Sequence, residues 1–269
     1  GGSQSAIPAG VLFNTTSSDS NRFAYDPATS TLTLNYKNLP EGNYRLSLSA
    51  GASGFRDLQG NLLDGNADGF GGDDYVVNFR IDAAGATPLA ALTSIAPQGS
   101  LVYDSPSRGS LYGAGDVDDY TVNLAAGQKA SVRVTPAVSG LQAQVQLIAP
   151  DGSVLGTASA SAGQTVLLQN IDVATAGTYT LRISGLAGSG NYDTQLLLNA
   201  QIGSEAWGGA SNDSQTTAEN IDSSAVALTT GADRLAVLGN VSGGADWYSF
   251  SLAAGQSAHT PAASIRVGA

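Results

Sequence analysis

Apolar residues in this chain recur mostly at every second position, the period of half-buried strands. In Thr31–Tyr36, Leu32, Leu34 and Tyr36 share one face, and Tyr44–Ser49 repeats the pattern with Tyr44, Leu46 and Leu48. Between them, Asn38-Leu-Pro-Glu-Gly-Asn43 is loaded with turn formers. Tyr75/Val77/Phe79/Ile81 make a third alternating set. Tyr120/Val122/Leu124, Val132/Val134, Val145/Leu147, Tyr179/Leu181/Ile183 and Tyr192/Thr194/Leu196/Leu198 follow, with a turn signal at Pro150-Asp-Gly-Ser153. No stretch of about a dozen residues sustains an amphipathic helix. The pattern predicts an all-β chain of tandem antiparallel β-sandwich modules, Ig-like or jelly-roll-like.

Comparison of the chain with itself adds a second constraint. Tyr120-Thr-Val-Asn-Leu-Ala-Ala-Gly-Gln128 aligns with Tyr248-Ser-Phe-Ser-Leu-Ala-Ala-Gly-Gln256, with Asp118 opposite Asp246 and Asp119 opposite Trp247. Ser264-Ile-Arg-Val267 likewise matches Ser131-Val-Arg-Val134. One β-module therefore reads as occurring twice, complete over 89–200 and as a truncated start over 201–269. Residues 1–82 form an earlier β-module, and 83–88, Ala-Ala-Gly-Ala-Thr-Pro, read as a linker. Half a sandwich leaves a strand edge unpaired, so the natural protein is expected to continue.

Composition narrows the function. The 269 residues carry 11 Lys and Arg against 22 Asp and Glu, a net charge of -11. Lys37 and Lys129 are the only lysines, which excludes nucleic acid as a partner, since phosphate contact needs clustered cations. No cysteine is present, which removes disulfides, zinc-thiolate sites and thiol catalysis together. No run approaches the roughly 18 apolar residues of a membrane helix, so membrane insertion is not expected. Without a methionine, the chain reads as a fragment or a processed product. Richness in Gly, Ala, Ser, Thr, Asp and Asn with few lysines fits an extracellular or bacterial cell-surface protein.

Several motifs in order carry a family resemblance. They are Gly115-Asp-Val-Asp-Asp-Tyr120, Leu124-Ala-Ala-Gly-Gln128, Leu147-Ile-Ala-Pro-Asp-Gly152, Ala176-Gly-Thr-Tyr-Thr-Leu-Arg-Ile183 and Gly190-Asn-Tyr-Asp-Thr194. Together they resemble the bacterial pre-peptidase C-terminal domain over 89–200 and, in truncated form, over 201–269. The resemblance implies a jelly-roll-like sandwich appended to secreted enzymes and surface proteins, related to the collagen-binding modules of clostridial collagenases. It also implies calcium near the start of the module. Residues 1–82 resemble the later part of a bacterial Ig-like module, through Leu39-Pro-Glu-Gly-Asn-Tyr-Arg-Leu46 and Asp57-Leu-Gln-Gly-Asn-Leu-Leu-Asp64.

Three sets of oxygen donors are candidates for Ca2+. Asp64-Gly-Asn-Ala-Asp-Gly69 fits the opening half of a calcium loop, with Asp64, Asn66 and Asp68 as side-chain ligands. The Phe70 carbonyl would follow, and Asp73 or Asp74 would replace the closing Glu. The other reading is a polar hairpin in which Asn and Asp serve the turn. The second set is Asp116, Asp118 and Asp119, which repel one another unless a cation or solvent separates them. Here too a solvated loop before a strand is the alternative. The third set follows from the resemblance: Glu205, Asn212, Asp213 and Asp246 take the places of a calcium site that ties the leading segment to the sandwich in the collagen-binding relatives.

Catalytic constellations are thin. His259 is the only histidine, and nothing around it suggests a nucleophile elbow or an oxyanion loop. No acid stands in an apolar setting that would suit paired-carboxylate hydrolysis. Tyr120, Tyr179, Tyr192, Tyr248 and Phe250 fall at strand periodicity and are expected in cores, while Trp207 is expected to pack the leading segment onto a sandwich. The reading is a non-catalytic structural or adhesive piece of a large secreted or surface bacterial protein, stiffened by calcium. Its partners would be neighbouring β-modules of the same protein and an extracellular protein or glycan ligand. The alternative is an accessory C-terminal substrate-binding or maturation domain of a secreted protease.

Overall fold

The computed structural model describes residues 23–26, 28–29, 31–34, 42–51, 53–57, 59–82, 85–229, 231–240 and 244–258. Tyr36, Lys37, the turn at 38–40, His259 and the motif at 264–267 lie outside the described residues. The chain divides into two compact units, Gly1–Asp82 and Ala83–Ala269.

In the first unit, β1 (Phe23–Asp26) and β2 (Thr31–Leu34) form an antiparallel hairpin. The Asp26 carboxylate accepts from the Ala28 amide and the Thr29 hydroxyl at 2.9 Å each, closing the turn. β3 (Gly42–Leu48) pairs antiparallel with β4 (Tyr75–Ile81). Tyr44 lies directly opposite Phe79, and the rings stack with centroids 5.6 Å apart, a cross-strand pair of the kind that fixes register.

The second unit is a ten-stranded sandwich followed by a segment that packs onto it. Its strands are β5 (Thr87–Pro88), β6 (Thr93–Ser94), β7 (Tyr103–Leu111), β8 (Val117–Leu124) and β9 (Lys129–Pro136). Then come β10 (Gln142–Ile148), β11 (Val154–Ser159), β12 (Val166–Asp172), β13 (Gly177–Ala187) and β14 (Gly190–Leu198). One sheet runs β11-β10-β13-β8-β5 and the other β12-β9-β14-β7-β6. All pairings are antiparallel except β5 with β8. The expected linker thus ends in an edge strand, because Thr87 and Pro88 run beside Tyr120 and Thr121.

Strict alternation builds the core. Tyr120, Val122 and Leu124 point inward from β8, Val145 and Leu147 from β10, and Tyr179, Leu181 and Ile183 from β13. Val132, Val134, Leu168, Tyr192, Leu196 and Leu198 face them from the other sheet. Each such aliphatic side chain contributes about 1.5–3 kcal/mol by leaving water.

The alternation fails in one informative place. Leu196, Leu197 and Leu198 are all fully buried. Leu197 points away from the core, and its outer face is covered by Val102, Ala200 and Ile202, with Trp207, Ala236 and Leu238 packed beside them. Apart from Val102, which leads into β7, that cover belongs to the following segment: β15 (Gln201–Ile202), β16 (Glu219–Asn220), β17 (Val226–Thr229), β18 (Ala232–Arg234), β19 (Val237–Leu238) and β20 (Tyr248–Ser249), with single 3-10 turns at Glu205–Trp207, Gln215–Thr217 and Asp222–Ser224. Trp207 performs its expected packing role, with the Arg133 guanidinium stacked 3.9 Å from its ring centre. Phe250 departs from the core placement expected of it and is 42% exposed. No helix among the described residues is long and apolar enough to cross a membrane.

Truncating Leu197 to Ala removes its contacts with the cover on the outer face of the sheet and is expected to cost about 2–5 kcal/mol. Urea unfolding measures the loss, and tryptophan emission should shift to the red as Trp207 loosens. A cost below about 1 kcal/mol would mean that the outer face is not a packed interface.

Candidate functional site

Strand geometry decides what the first module does with its acids. Along β8 successive side chains face opposite ways, so Asp118 turns inward and Asp119 outward. Asp119 holds Arg182 through two bonds of 2.8 Å, Nε to Oδ1 and Nη2 to Oδ2, and this pairing pushes the Arg182 guanidinium up. Asp116, in the preceding turn, accepts from the Tyr112 amide at 2.6 Å and the Val117 amide at 3.1 Å. The structure therefore does not bring Asp116, Asp118 and Asp119 together. Three acids adjacent in sequence are dispersed to a turn, a core and a surface pair by the period of two.

Asp118 is 6% exposed and accepts a hydrogen bond from the Tyr192 hydroxyl at 2.5 Å. The Tyr192 hydroxyl lies 2.9 Å from that of Tyr120, which donates to the Arg108 carbonyl at 3.2 Å. Gly109 makes room for both phenols: a Cβ there would lie 2.3 Å from the Tyr192 oxygen and 2.6 Å from that of Tyr120. Burial first, then the neighbouring Tyr120 and Asp118, push the Tyr192 hydroxyl far above the ordinary tyrosine range.

The loop between β3 and β4 also spends its acids internally. Asp64 accepts from the Asp68 amide at 3.1 Å and the Gly69 amide at 2.8 Å, and Asp68 accepts from the Phe70 amide at 2.9 Å. Asn66 bonds Asp68 through both backbone and side chain. Asp73 bridges to Asp64 through the backbone, while Asp74 accepts from the Ala50 amide at 2.9 Å. The bonds of Asp64, Asn66 and Asp68 are of the kind by which Asn and Asp close turns. The Phe70 side chain is 77% exposed.

The third set is different. Gly203, Glu205, Asn212, Glu219, Gly239, Asp246 and Tyr248 line one small cleft in the segment after the sandwich. Asn212 is 98% buried, since only 2% of it is exposed, and its Oδ1 has no hydrogen-bond partner. Asp246 Oδ1 is buried and unpartnered as well. Two orphaned oxygens in a cleft ringed by carboxylates, with no Lys or Arg in the lining, form a donor set that fits a hard cation. Among the described residues no three acidic side chains converge into a closed cluster, so such an ion would also draw on the Asn212 amide oxygen. Asp213, the remaining expected ligand, is exposed and bonded to Ser211 at 2.5 Å. Glu219 was not among the expected ligands. No local signal marks it, since it is distant from the second Tyr motif in sequence and comes beside Tyr248 only through the backbone pairing.

That pairing repeats a pattern of the first module. β5 runs parallel to β8 with Thr87 beside Tyr120, and β16 runs parallel to β20 with Glu219 beside Tyr248. The amides of Leu89 and Ile221 donate to the carbonyls of Thr121 and Ser249 at 2.9 Å each. Gly239 packs against the Tyr248 hydroxyl as Gly109 does against that of Tyr120. The two Ala-Ala-Gly-Gln turns match too, with Gln128 and Gln256 accepting from the amides of Ala125 and Ala253 at 2.7 and 2.8 Å. Burial first, then Asp246, raises the Tyr248 hydroxyl to about 12, while its hydrogen bond with Asn212 works the other way.

Fold and local geometry define a β-sandwich module with a parallel leader strand. Residues 116–185, from the turn before β8 into β13, match the family model of the bacterial pre-peptidase C-terminal domain. Comparison with curated proteins found no match. Among solved structures, the pre-peptidase C-terminal domain of collagenase from Bacillus anthracis is similar at 19% identity and a TM-score of 0.30, covering 45% of this chain and 99% of that one. The periplasmic inhibitor of g-type lysozyme from Aeromonas hydrophila is similar at 16% identity and a TM-score of 0.29, covering 42% and 95%. The carbohydrate-binding module CBM36, solved with calcium and xylotriose, is similar at 20% identity and 0.24, covering 40% and 91%. At these scores the likenesses assign no function to the chain.

The raised phenols make a pH prediction. A phenol whose folded value lies above its unfolded value near 10 contributes its full stability below about pH 10. For Tyr248 that contribution is lost between about pH 10 and 12, and for Tyr192 the loss continues at higher pH. The unfolding free energy measured in urea should therefore fall steadily above pH 10, by up to about 1.4 kcal/mol per pH unit for the Tyr192 proton. Tyr192→Phe should flatten this slope and cost about 1–3 kcal/mol at pH 8, through the lost bond to Asp118.

Proposed function

We propose that this chain is a non-catalytic accessory part of an exported bacterial protein, acting outside the cytoplasm as a spacer and binding module. The match to the pre-peptidase C-terminal domain supports the accessory role. The acids of the matched stretch support it further, because Asp116, Asp118 and Asp119 serve a turn, a phenol and an arginine. In this reading the partners are neighbouring β-modules and an extracellular protein or glycan. The alternative, an accessory domain of a secreted hydrolase, is favoured by the same family match and differs only in what lies elsewhere in the parent protein.

The reading includes a calcium site in the segment after the sandwich. One observation carries it: the unpartnered, buried oxygens of Asn212 and Asp246 in a cleft that Glu205 and Glu219 also line. Ca2+ prefers six to eight oxygen ligands from carboxylates, amides and carbonyls, which is the chemistry this lining offers. A bound ion would offset the negative charge of the carboxylates that line the cleft and fasten β16 to β20.

Melting curves in calcium and in chelator test this reading. Calcium at about 100 times its Kd should stabilise the folded chain by about 2.7 kcal/mol and raise Tm by several degrees. Asp246→Asn and Glu219→Gln, which keep shape and remove charge, should each abolish most of the increment. Superimposable wild-type curves with and without calcium would overturn it.

A further inference from the structure

Glu219 is held from behind by a chain of amides that ends in the first sandwich. Gln201, 5% exposed, donates through Nε2 to Glu219 Oε1 at 2.8 Å and to the Asn220 carbonyl at 3.3 Å. Its Oε1 accepts from Asn170 Nδ2 at 2.9 Å, and the same Asn170 amide donates to Ser223 at 2.8 Å. The orientation of Gln201 is forced: its NH2 must face the carboxylate, which leaves its oxygen toward Asn170. Glu219 Oε2 accepts from the Ser204 amide at 3.3 Å, so both of its oxygens are aimed by this scaffold.

Asn170 sits where the β12–β9 register slips between Leu168 and Ile171, with φ at 56°. The slip lifts Gln169 and Asn170 out of the ladder and turns them toward the following segment. Gln169 accepts from the Ile202 amide at 2.8 Å, the Asn170 amide donates to Ser131 at 3.1 Å, and Ser131 donates to the Ala200 carbonyl at 2.9 Å. The bulge thus grips the junction at Ala200–Ile202 from two sides while its side chain reaches Gln201.

We infer that Gln201 and the Asn170 bulge are positioning residues for the cation site, and that through them calcium bound in the cleft rigidifies the β12 bulge of the preceding sandwich. The inference rests on the calcium reading above and adds the route by which the ion acts on the neighbouring module. A ligand carboxylate held by a buried amide is oriented before the ion arrives, and losing such a partner costs 10- to 100-fold in metal affinity in typical sites. A chain of amides that begins at a carboxylate is polarised along its length, so fixing Glu219 fixes the donors behind it. The junction then behaves as a coupler whose stiffness follows calcium.

Two substitutions separate the parts. Gln201→Ala should weaken Ca2+ binding about 10-fold or more, measured by titration calorimetry on the whole chain. Asn170→Gly is the cleaner probe of the route, since glycine tolerates a positive φ and only the side chain is lost. Hydrogen exchange is the readout. In the wild type, Ca2+ should slow exchange both in 201–222 and in 166–172; in Asn170→Gly it should slow only the first. Equal calcium-induced protection of 166–172 in both proteins would overturn the coupling, as would wild-type protection confined to 201–222. An unchanged wild-type exchange pattern together with unchanged melting would sink the calcium reading and this inference with it.

Discussion

Covering the outer face of one sheet is the constraint on which the rest of the second unit depends. A sandwich sheet ordinarily shows one face to the core and one to water. Here Leu197 and Ser131 lie on the far face and are both fully buried, so the segment that follows β14 must lie across them. Once Ile202 and Trp207 are seated there, β15 is in place to pair with β19, and Glu205 opens the approach to the cleft. The Arg133–Trp207 stack keeps that cation in contact with the segment, at the cost of partial desolvation that lowers Arg133 and that Asp104 and Asp193 offset. Packing chosen for apolar area thereby places polar groups more than ten residues further on.

The same alternation that makes the core also assigns the acids. An Asp on a strand next to a core position has only two fates: it turns inward and needs a buried donor, or outward and needs a cation or water. Asp118 takes the first with Tyr192, and Asp119 takes the second with Arg182. Acids in turns take a third fate, folding back on nearby amides, as Asp64, Asp68 and Asp116 do. A run of Asp in sequence therefore says little about a shared ligand until strand and turn positions are known.

Part of this was legible beforehand. The period of two located β8, β9, β10, β13 and β14, the strands with several inward apolar residues, because burial on one face is a local property of each segment, and it passed over the edge strands and the polar β7. The Tyr–Ala-Ala-Gly-Gln repeat carried over into matching hydrogen bonds, because turn closure by Gln128 and Gln256 depends on neighbours only three residues away. Sequence was weakest where function depends on register between distant strands. Glu219 lies beside Tyr248 through a parallel pairing that no local pattern encodes, and the slip at Asn170 is invisible without its partner strand. Thr87 was read as linker for the same reason, since a two-residue edge strand has no period to detect.

The matched Asp and Tyr of the sandwich and of the segment after it sit in contrasting settings. In the first, Thr87 stands where the second has Glu219, and the acid of the pair, Asp118, receives a phenol from β14. That phenol is part of the chain and is present on Oδ2 of Asp118 whenever the sandwich is folded. In the second, Tyr248 reaches Asp246 with a long bond of 3.3 Å, and the second oxygen of Asp246 stays unpartnered. A permanent donor suits a core that must hold under all conditions. An acid left incomplete, beside two more carboxylates and a buried amide oxygen, suits a contact whose strength is set from solution. On the calcium reading, this difference makes the Asp118–Tyr192 pair independent of the ion and leaves the junction with the next segment, and the β12 bulge that grips it, responsive to it. The contrast follows from one exchange of Thr for Glu on a leader strand and one phenol supplied by β14.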